Sequence, residues 1–220
     1  MRAGAIWTRA LSTTALSPVW LAPLALALWP VAAAGQELPT GGSVAAGSAT
    51  ISAPGPQRMQ VDQTSQRSVI NWQSFSVGQG AEVRFNQPGR DAAVLNRVTG
   101  GLGSRIDGSI AANGHVYLVN RSGVVVGPTG RVDAQGFVAS SLQIDDDDFM
   151  AGNLSFAGSG ASAAVENHGA ITVGHGGYAA LLGGKVVNTG TIVAPMGRIG
   201  FGAGERAVLD LTGDGFLQIA

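Results

Sequence analysis

Asn167-His168-Gly169-Ala170-Ile171-Thr172-Val173 is followed by Asn188-Thr189-Gly190-Thr191-Ile192-Val193-Ala194, with asparagine, glycine and isoleucine all displaced by the same interval. That displacement also carries Gly176 to Gly197, Tyr178 to Ile199 and Gly183 to Gly204. Upstream, Gly108-Ser109-Ile110 with Gly114 and Val116 maps onto Gly130-Arg131-Val132 with Gly136 and Val138, at an interval one residue longer. Repeats of roughly 20–50 residues belong to solenoids and propellers. A propeller blade needs about 40 residues for its four strands. A leucine-rich repeat would need an L-x-x-L-x-L frame and a helical half, and both are missing. A coil of three short strands and three turns fits, which makes the fold all-β, a parallel β-helix with coils of about 21–22 residues. Inward Val, Ile, Leu and Ala then form ladders, Asn167 and Asn188 stack between coils, and the repeated glycines mark corners expected to need positive φ.

The flanking sequence agrees. Arg58-Met59-Gln60-Val61-Asp62 and Glu82-Val83-Arg84-Phe85-Asn86 alternate polar and apolar, the period of a half-buried strand. Nothing after Ala34 holds a helical period over several turns. Gly130 and Gly169 are separated by almost twice the repeat, so nearly a further coil of chain leaves the stack, an excursion placed around 143–165. It contains Asp145-Asp146-Asp147-Asp148, expected to be a solvated loop. Residues 35–80, irregular and holding Pro54 and Pro56, are expected to cap the first coil, because an open solenoid edge would pair with other chains. Residues 81–220 are then the β-helix coils. Gly215-Phe216-Leu217-Gln218-Ile219-Ala220 ends on a strand pattern without a cap. The expectation is therefore the N-terminal part of a longer protein, or a shortened reading frame.

Residues 1–34 read differently. Arg2 and Arg9 make a positive start, Ala15 to Val31 carry no charge, and Ala32-Ala33-Ala34 offers small residues before Gly35. That is the layout of a secretory signal peptide cleaved between Ala34 and Gly35. Pro18, Pro23 and Pro30 argue against a membrane anchor, and no later apolar run reaches the ~18 residues a span needs.

Composition excludes whole classes. The 220 residues hold 34 glycines, no cysteine and 12% charged residues, against a usual ~25% charged. Without cysteine there is no disulfide scaffold and no Cys-type zinc site. One lysine, Lys185, and a net charge of −1 argue against a nucleic-acid binder. Hydrophobic residues at 45% argue against disorder.

Asn71-Trp72-Gln73-Ser74-Phe75-Ser76-Val77-Gly78 resembles the N-W-x-x-F-x-[IV]-G element of the filamentous haemagglutinin N-terminal domain, the two-partner secretion domain of bacterial exoproteins. Phe85-Asn86-Gln87-Pro88, Ala93-Val94-Leu95-Asn96-Arg97-Val98-Thr99-Gly100, Ser109 to Asn120 and Gly136 to Leu142 resemble its next four blocks, in family order. The resemblance implies a right-handed parallel β-helix that is an address and folding nucleus rather than an enzyme. It implies export by the Sec machinery through the periplasm. An Omp85-class (TpsB-type) outer-membrane transporter would bind the chain through its POTRA domains. Localisation at the cell surface or in the medium of a Gram-negative bacterium follows. The passenger would be a haemagglutinin or adhesin first, and a haem-acquisition or contact-dependent inhibition protein next, with a host-cell or carbohydrate receptor of its own.

The family's N-P-N-G-[IV] turn reads Asn120-Arg121-Ser122-Gly123-Val124 here. The turn ends are kept and the proline that pre-sets φ is lost. These five residues divide between a plain inter-coil turn and a transporter contact, with Asn120 the one carried over first. Asn71, Trp72, Phe75, Asn96, Arg97, Val98 and Thr99 complete the family set. Trp72 and Phe75 are expected in the core, with an interface role the alternative. Arg97 is expected either to pair with a carboxylate of the cap or to meet an acidic transporter surface. The segments 58–62 and 82–86 suggest a mechanism, β-augmentation of a POTRA sheet.

Other readings are weaker. His115, His168 and His175 fall in three coils without metal-ligand spacing and read as exposed or corner histidines. The aspartate run lacks an EF-hand's glycine and terminal glutamate. Asp107 and Asp133 are separated by more than one coil, so they need not face one wall as an acid/base pair would. No catalytic residue, metal or cofactor is therefore assigned. The competing function is a free-standing secreted β-helix that binds or cleaves carbohydrate.

Overall fold

Short apolar–polar alternations punctuated by glycine build one continuous solenoid. The computed structural model describes Met1, residues 37–211 and residues 215–219. The proposed signal peptide and its cleavage point at Ala34 and Gly35 lie outside these residues. Among the described residues no helix is long and apolar enough to cross a membrane.

Each coil contributes a strand to three parallel faces. The first face stacks β3 (Arg58–Gln63), β5 (Glu82–Asn86), β8 (Ser109–Ala112), the start of β11 (Arg131–Ser140), the start of β14 (Ala170–Gly183) and β16 (Thr191–Val193). The second stacks β4 (Arg67–Trp72), β6 (Ala93–Val98), β9 (His115–Asn120), the ends of β11 and β14, and β17 (Arg198–Ala203). The third stacks β7 (Ser104–Ile106), β10 (Val124–Val126), β13 (Ala164–Asn167) and β15 (Lys185–Asn188). The solenoid begins under an antiparallel cap, as the irregular first segment implies. β1 (Ser43–Ala46) pairs with β4, and β2 (Ala49–Gly55) pairs with β3.

Inward residues form the expected ladder. Met59, Val83, Ile110, Val132 and Ile171 follow one another along the first face, each 8% exposed or less. Asn167 lies over Asn188 and donates to its Oδ1 at 2.8 Å, the amide ladder read from the repeat.

Three expectations need correction. The interval that carries Asn167 to Asn188 holds on the first and third faces, but on the second Tyr178 lies over Arg198 and Gly183 over Ala203. Likewise Ile110 lies under Val132 as the upstream repeat implies, yet Gly136 opposes His115 and Phe137 opposes Val116. The later corner is one residue shorter in each case. In strands a one-residue slip exchanges the two faces, so the structural alignment is the one that pairs Ala179 with Ile199 in place of Tyr178.

Among the repeated glycines Gly176 does take a positive φ, 70°, but the corner glycines Gly108, Gly130, Gly169 and Gly190 do not. They are required by contact: a Cβ on Gly130 would lie 2.1 Å from the Ile106 carbonyl, and one on Gly190 2.2 Å from the Gly169 carbonyl. The coils meet there too closely for any side chain.

The aspartate run is not a loop. Asp145 is the N-cap of helix α1 (Asp146–Ala151), its Oδ1 accepting the Asp147 amide at 2.9 Å. Asp146 to Asp148 fill the first turn, where negative charge suits the helix dipole, and Gly152 at φ 90° closes the other end. The excursion continues through β12 (Ser155–Ala157), which joins β18 (Arg206–Leu209) and β19 (Leu217–Ile219) in a small antiparallel sheet. Glu205 accepts the Gly160 and Ser162 amides and the Ser162 hydroxyl, which holds its carboxyl below the usual range and ties the two segments.

These additions cover the outside of the second face. Leu142, Ile144, Phe149, Leu154 and Phe156, with Ala207 and Leu209, pack on Val69, Leu95, Tyr117, Val119, Val138, Ala180 and Leu182. The second face is thus buried on both sides. Its strands accordingly read as near-continuous apolar runs, such as Val116-Tyr117-Leu118-Val119.

Candidate functional site

β9 ends at Asn120, whose chain must turn sharply from the second face to the third. Gly123 N–H donates to the Asn120 carbonyl at 2.9 Å, closing a tight turn. The Asn120 side chain holds it from within. Its Oδ1 accepts the Ser122 amide at 2.9 Å, and its Nδ2 donates to the Leu102 carbonyl at 2.9 Å and Ser104 Oγ at 3.0 Å. Asn120 therefore binds its own turn and the coil beneath, and is 1% exposed. Gly123 takes φ 97°, and a Cβ there would lie 2.7 Å from the Ala164 carbonyl of the next coil. Val124 points into the core at 0% exposure. Of the five turn residues, Arg121 and Ser122 face outward, Ser122 Oγ donating to the Gly101 carbonyl at 2.9 Å.

The other family residues assemble in the two coils below. Trp72 is 1% exposed, meets Phe75 edge-on at 5.4 Å, and donates its indole N–H to Asn96 Oδ1 at 3.0 Å. Asn96 Nδ2 passes the chain on to the Tyr117 carbonyl at 3.3 Å. Thr99 bonds the Trp72 carbonyl through both its amide and its hydroxyl. Val98 is buried, and Asn71 lies half-buried opposite Ser43 of the cap and Arg97 of β6. Trp72 and Phe75 are core residues. Arg97 is paired, but with the excursion rather than the cap: its guanidinium donates to Asp146 and to the Ile144 carbonyl.

Arg97 and Arg121 meet in one place. They line an open groove of about 610 Å³ together with Gln143, Asp145, Asp147 and Ser155. The turn and the excursion, far apart in sequence, thus share a surface that no spacing rule would reveal.

The histidines separate. His115 is not a corner side chain in water. It stacks on Tyr178 at 4.9 Å, and burial pulls its pKa down from 6.5 to about 4. His168 bridges Glu166 and Thr189 at 2.9 and 2.7 Å. Asp107 pairs with Arg105 at the third face, while Asp133 lies on the first. Among the described residues no three His, Cys, Asp or Glu side chains converge on a metal position. Tyr117 and Tyr178 bond hydroxyl to hydroxyl in the outer core, and burial pushes the Tyr117 phenol up to about 12.

A capped parallel β-helix with these blocks built into its first coils is the architecture of an exported secretion domain. The sequence profile of the TPS secretion domain matches residues 35–217, and the chain belongs to that family. It is similar to a heme/hemopexin-binding protein of Haemophilus influenzae strain Rd, 39% identical over 113 residues, which is 51% of this chain and 12% of that protein. A second Haemophilus influenzae protein of the same description is 37% identical over 99 residues, 45% of this chain and 11% of its own length. The chain therefore spans only a small part of the relatives it matches. In three dimensions it is similar to the HMW1 secretion domain from Haemophilus influenzae, with TM-score 0.74, 34% identity, and 78% and 46% of the two chains covered.

Proposed function

We propose that this domain is the address by which a TpsB-type, Omp85-class outer-membrane transporter selects its exoprotein, and the nucleus on which that exoprotein folds after export. The observation that supports this best is the family match across residues 35–217, with every block residue built into the first coils. In this reading the Sec machinery delivers the chain to the periplasm, and the POTRA domains of the transporter receive it. No catalytic step is assigned to the domain.

Geometry refines how recognition would work. β3 and β5, the two alternating segments, have partners on both edges once folded. They can augment a POTRA sheet only before the solenoid forms. Asn120 is likewise enclosed by its own bonds after folding, while Arg121 stays accessible. The transporter would thus read an extended chain, and the turn would serve the folding that follows release. Purified POTRA domains offered the chain freshly diluted from denaturant, and the chain already folded, test this. Capture of the first and at least tenfold weaker capture of the second is expected; equal capture would overturn the order of events.

For the passenger, an adhesin remains the first reading. A haem-acquisition protein is the second, favoured because both Haemophilus influenzae relatives are described as heme/hemopexin-binding proteins. Haem-binding and cell-adhesion assays on the full-length secreted protein separate the two.

A further inference from the structure

At the corner between the first and second faces lies a cavity of about 340 Å³, within the range of small-molecule sites. One wall is aromatic. The His115 ring stacks on Tyr178 with an interplanar angle of 14°, and the Phe216 ring, 6.0 Å from that of Tyr178, is tilted to it by 59°. Burial keeps the imidazole uncharged, so His115 serves as a flat surface rather than a cation.

The rim carries arginine side chains. Arg90 Nη2 donates to the His175 carbonyl at 2.9 Å, and Gln135 Nε2 donates to the same oxygen at 3.3 Å. That bond fixes the guanidinium at the mouth while engaging one of its five N–H groups. Arg198 lies over the Phe216 ring at 5.9 Å. Asp91 also lines the cavity. Gly176 and Gly177 add no side chain to fill the space.

We propose that this corner binds a small planar aromatic anion, with the ring against His115, Tyr178 and Phe216 and the carboxylate on Arg90. A guanidinium fork matches a carboxylate in geometry and charge, and ring stacking fixes the plane. The function in export neither requires nor supplies this site.

Calorimetric titration of the purified full chain with 2-naphthoate tests it, alongside 2-naphthamide, the neutral analogue of nearly the same shape. Saturable binding of the acid is expected, with a dissociation constant on the order of 1 mM or tighter. The amide should bind about tenfold more weakly, and Arg90→Gln should cost the acid about the same factor. A cooperative urea transition checks that the variant is folded, and the amide comparison needs no variant. No saturable binding up to ten times that concentration, equal affinity for acid and amide, or an unchanged affinity in folded Arg90→Gln would each overturn the proposal.

Discussion

Asn120 has two demands placed on one side chain: to brace its own turn and to satisfy polar groups of the coil beneath. Replacing it with alanine takes the donor from the Leu102 carbonyl and from the hydroxyl of Ser104, a residue only 2% exposed. Asn120→Ala is expected to lose about 1–3 kcal/mol of stability in urea unfolding, with no effect on the outward groove. His115 gives a second test, in pH. Its folded pKa is about 4 against 6.5 when exposed. Between those values the unfolded chain holds the proton and the folded chain does not. The contribution is constant above pH 6.5, falls as the pH drops through this window, and levels off below it. Roughly 3 kcal/mol is lost in total. Urea midpoints at pH 7 and pH 4.5 should therefore converge more closely in His115→Gln than in the parent protein.

Strands were legible where alternation or repetition is strict. Val61, Val83 and Phe85 stand at the inward positions their period assigns, and the Asn167–Asn188 ladder follows from its offset. Corners were not legible to the residue, because hydrophobic period two carries no information about a glycine turn one residue shorter. The glycines themselves signalled a corner but not its cause, close approach of successive coils. Helix α1 escaped for a different reason: it is too short to display a helical period, although Asp145 and Gly152 are its caps. With it went the outer layer over the second face. Phe149 is 0% exposed, touches Tyr117 edge-on at 5.2 Å, and lies under the Arg67 guanidinium. Phe149→Ala is expected to cost about 3–5 kcal/mol and to make residues 145–157 the first site of limited proteolysis. A solenoid held by its interior alone would keep its protease pattern.

At the scale of the molecule, the family blocks divide by role. Trp72, Phe75, Asn96, Val98 and Val124 secure the first coils from inside, and Arg97 clamps the excursion to them. In the proposed function such a domain would nucleate a fold in which each coil templates the next, which suits a chain emerging across a membrane end first. The residues proposed for recognition were legible only through family resemblance; composition and periodicity give a β-helix and stop there. Neither could show that Arg121 and Arg97 share a groove, since tertiary packing alone brings residues 97, 121 and 145 together. If the chain is, as proposed, an address read by its transporter, its secretion depends on that transporter. The most direct measurement is secretion from a Gram-negative host expressing the chain with and without that transporter, with the periplasm and medium assayed together. Release into the medium or onto the cell surface is expected only when the transporter is present. Equal release without it, or folded protein held in the periplasm while the transporter is present, would contradict it.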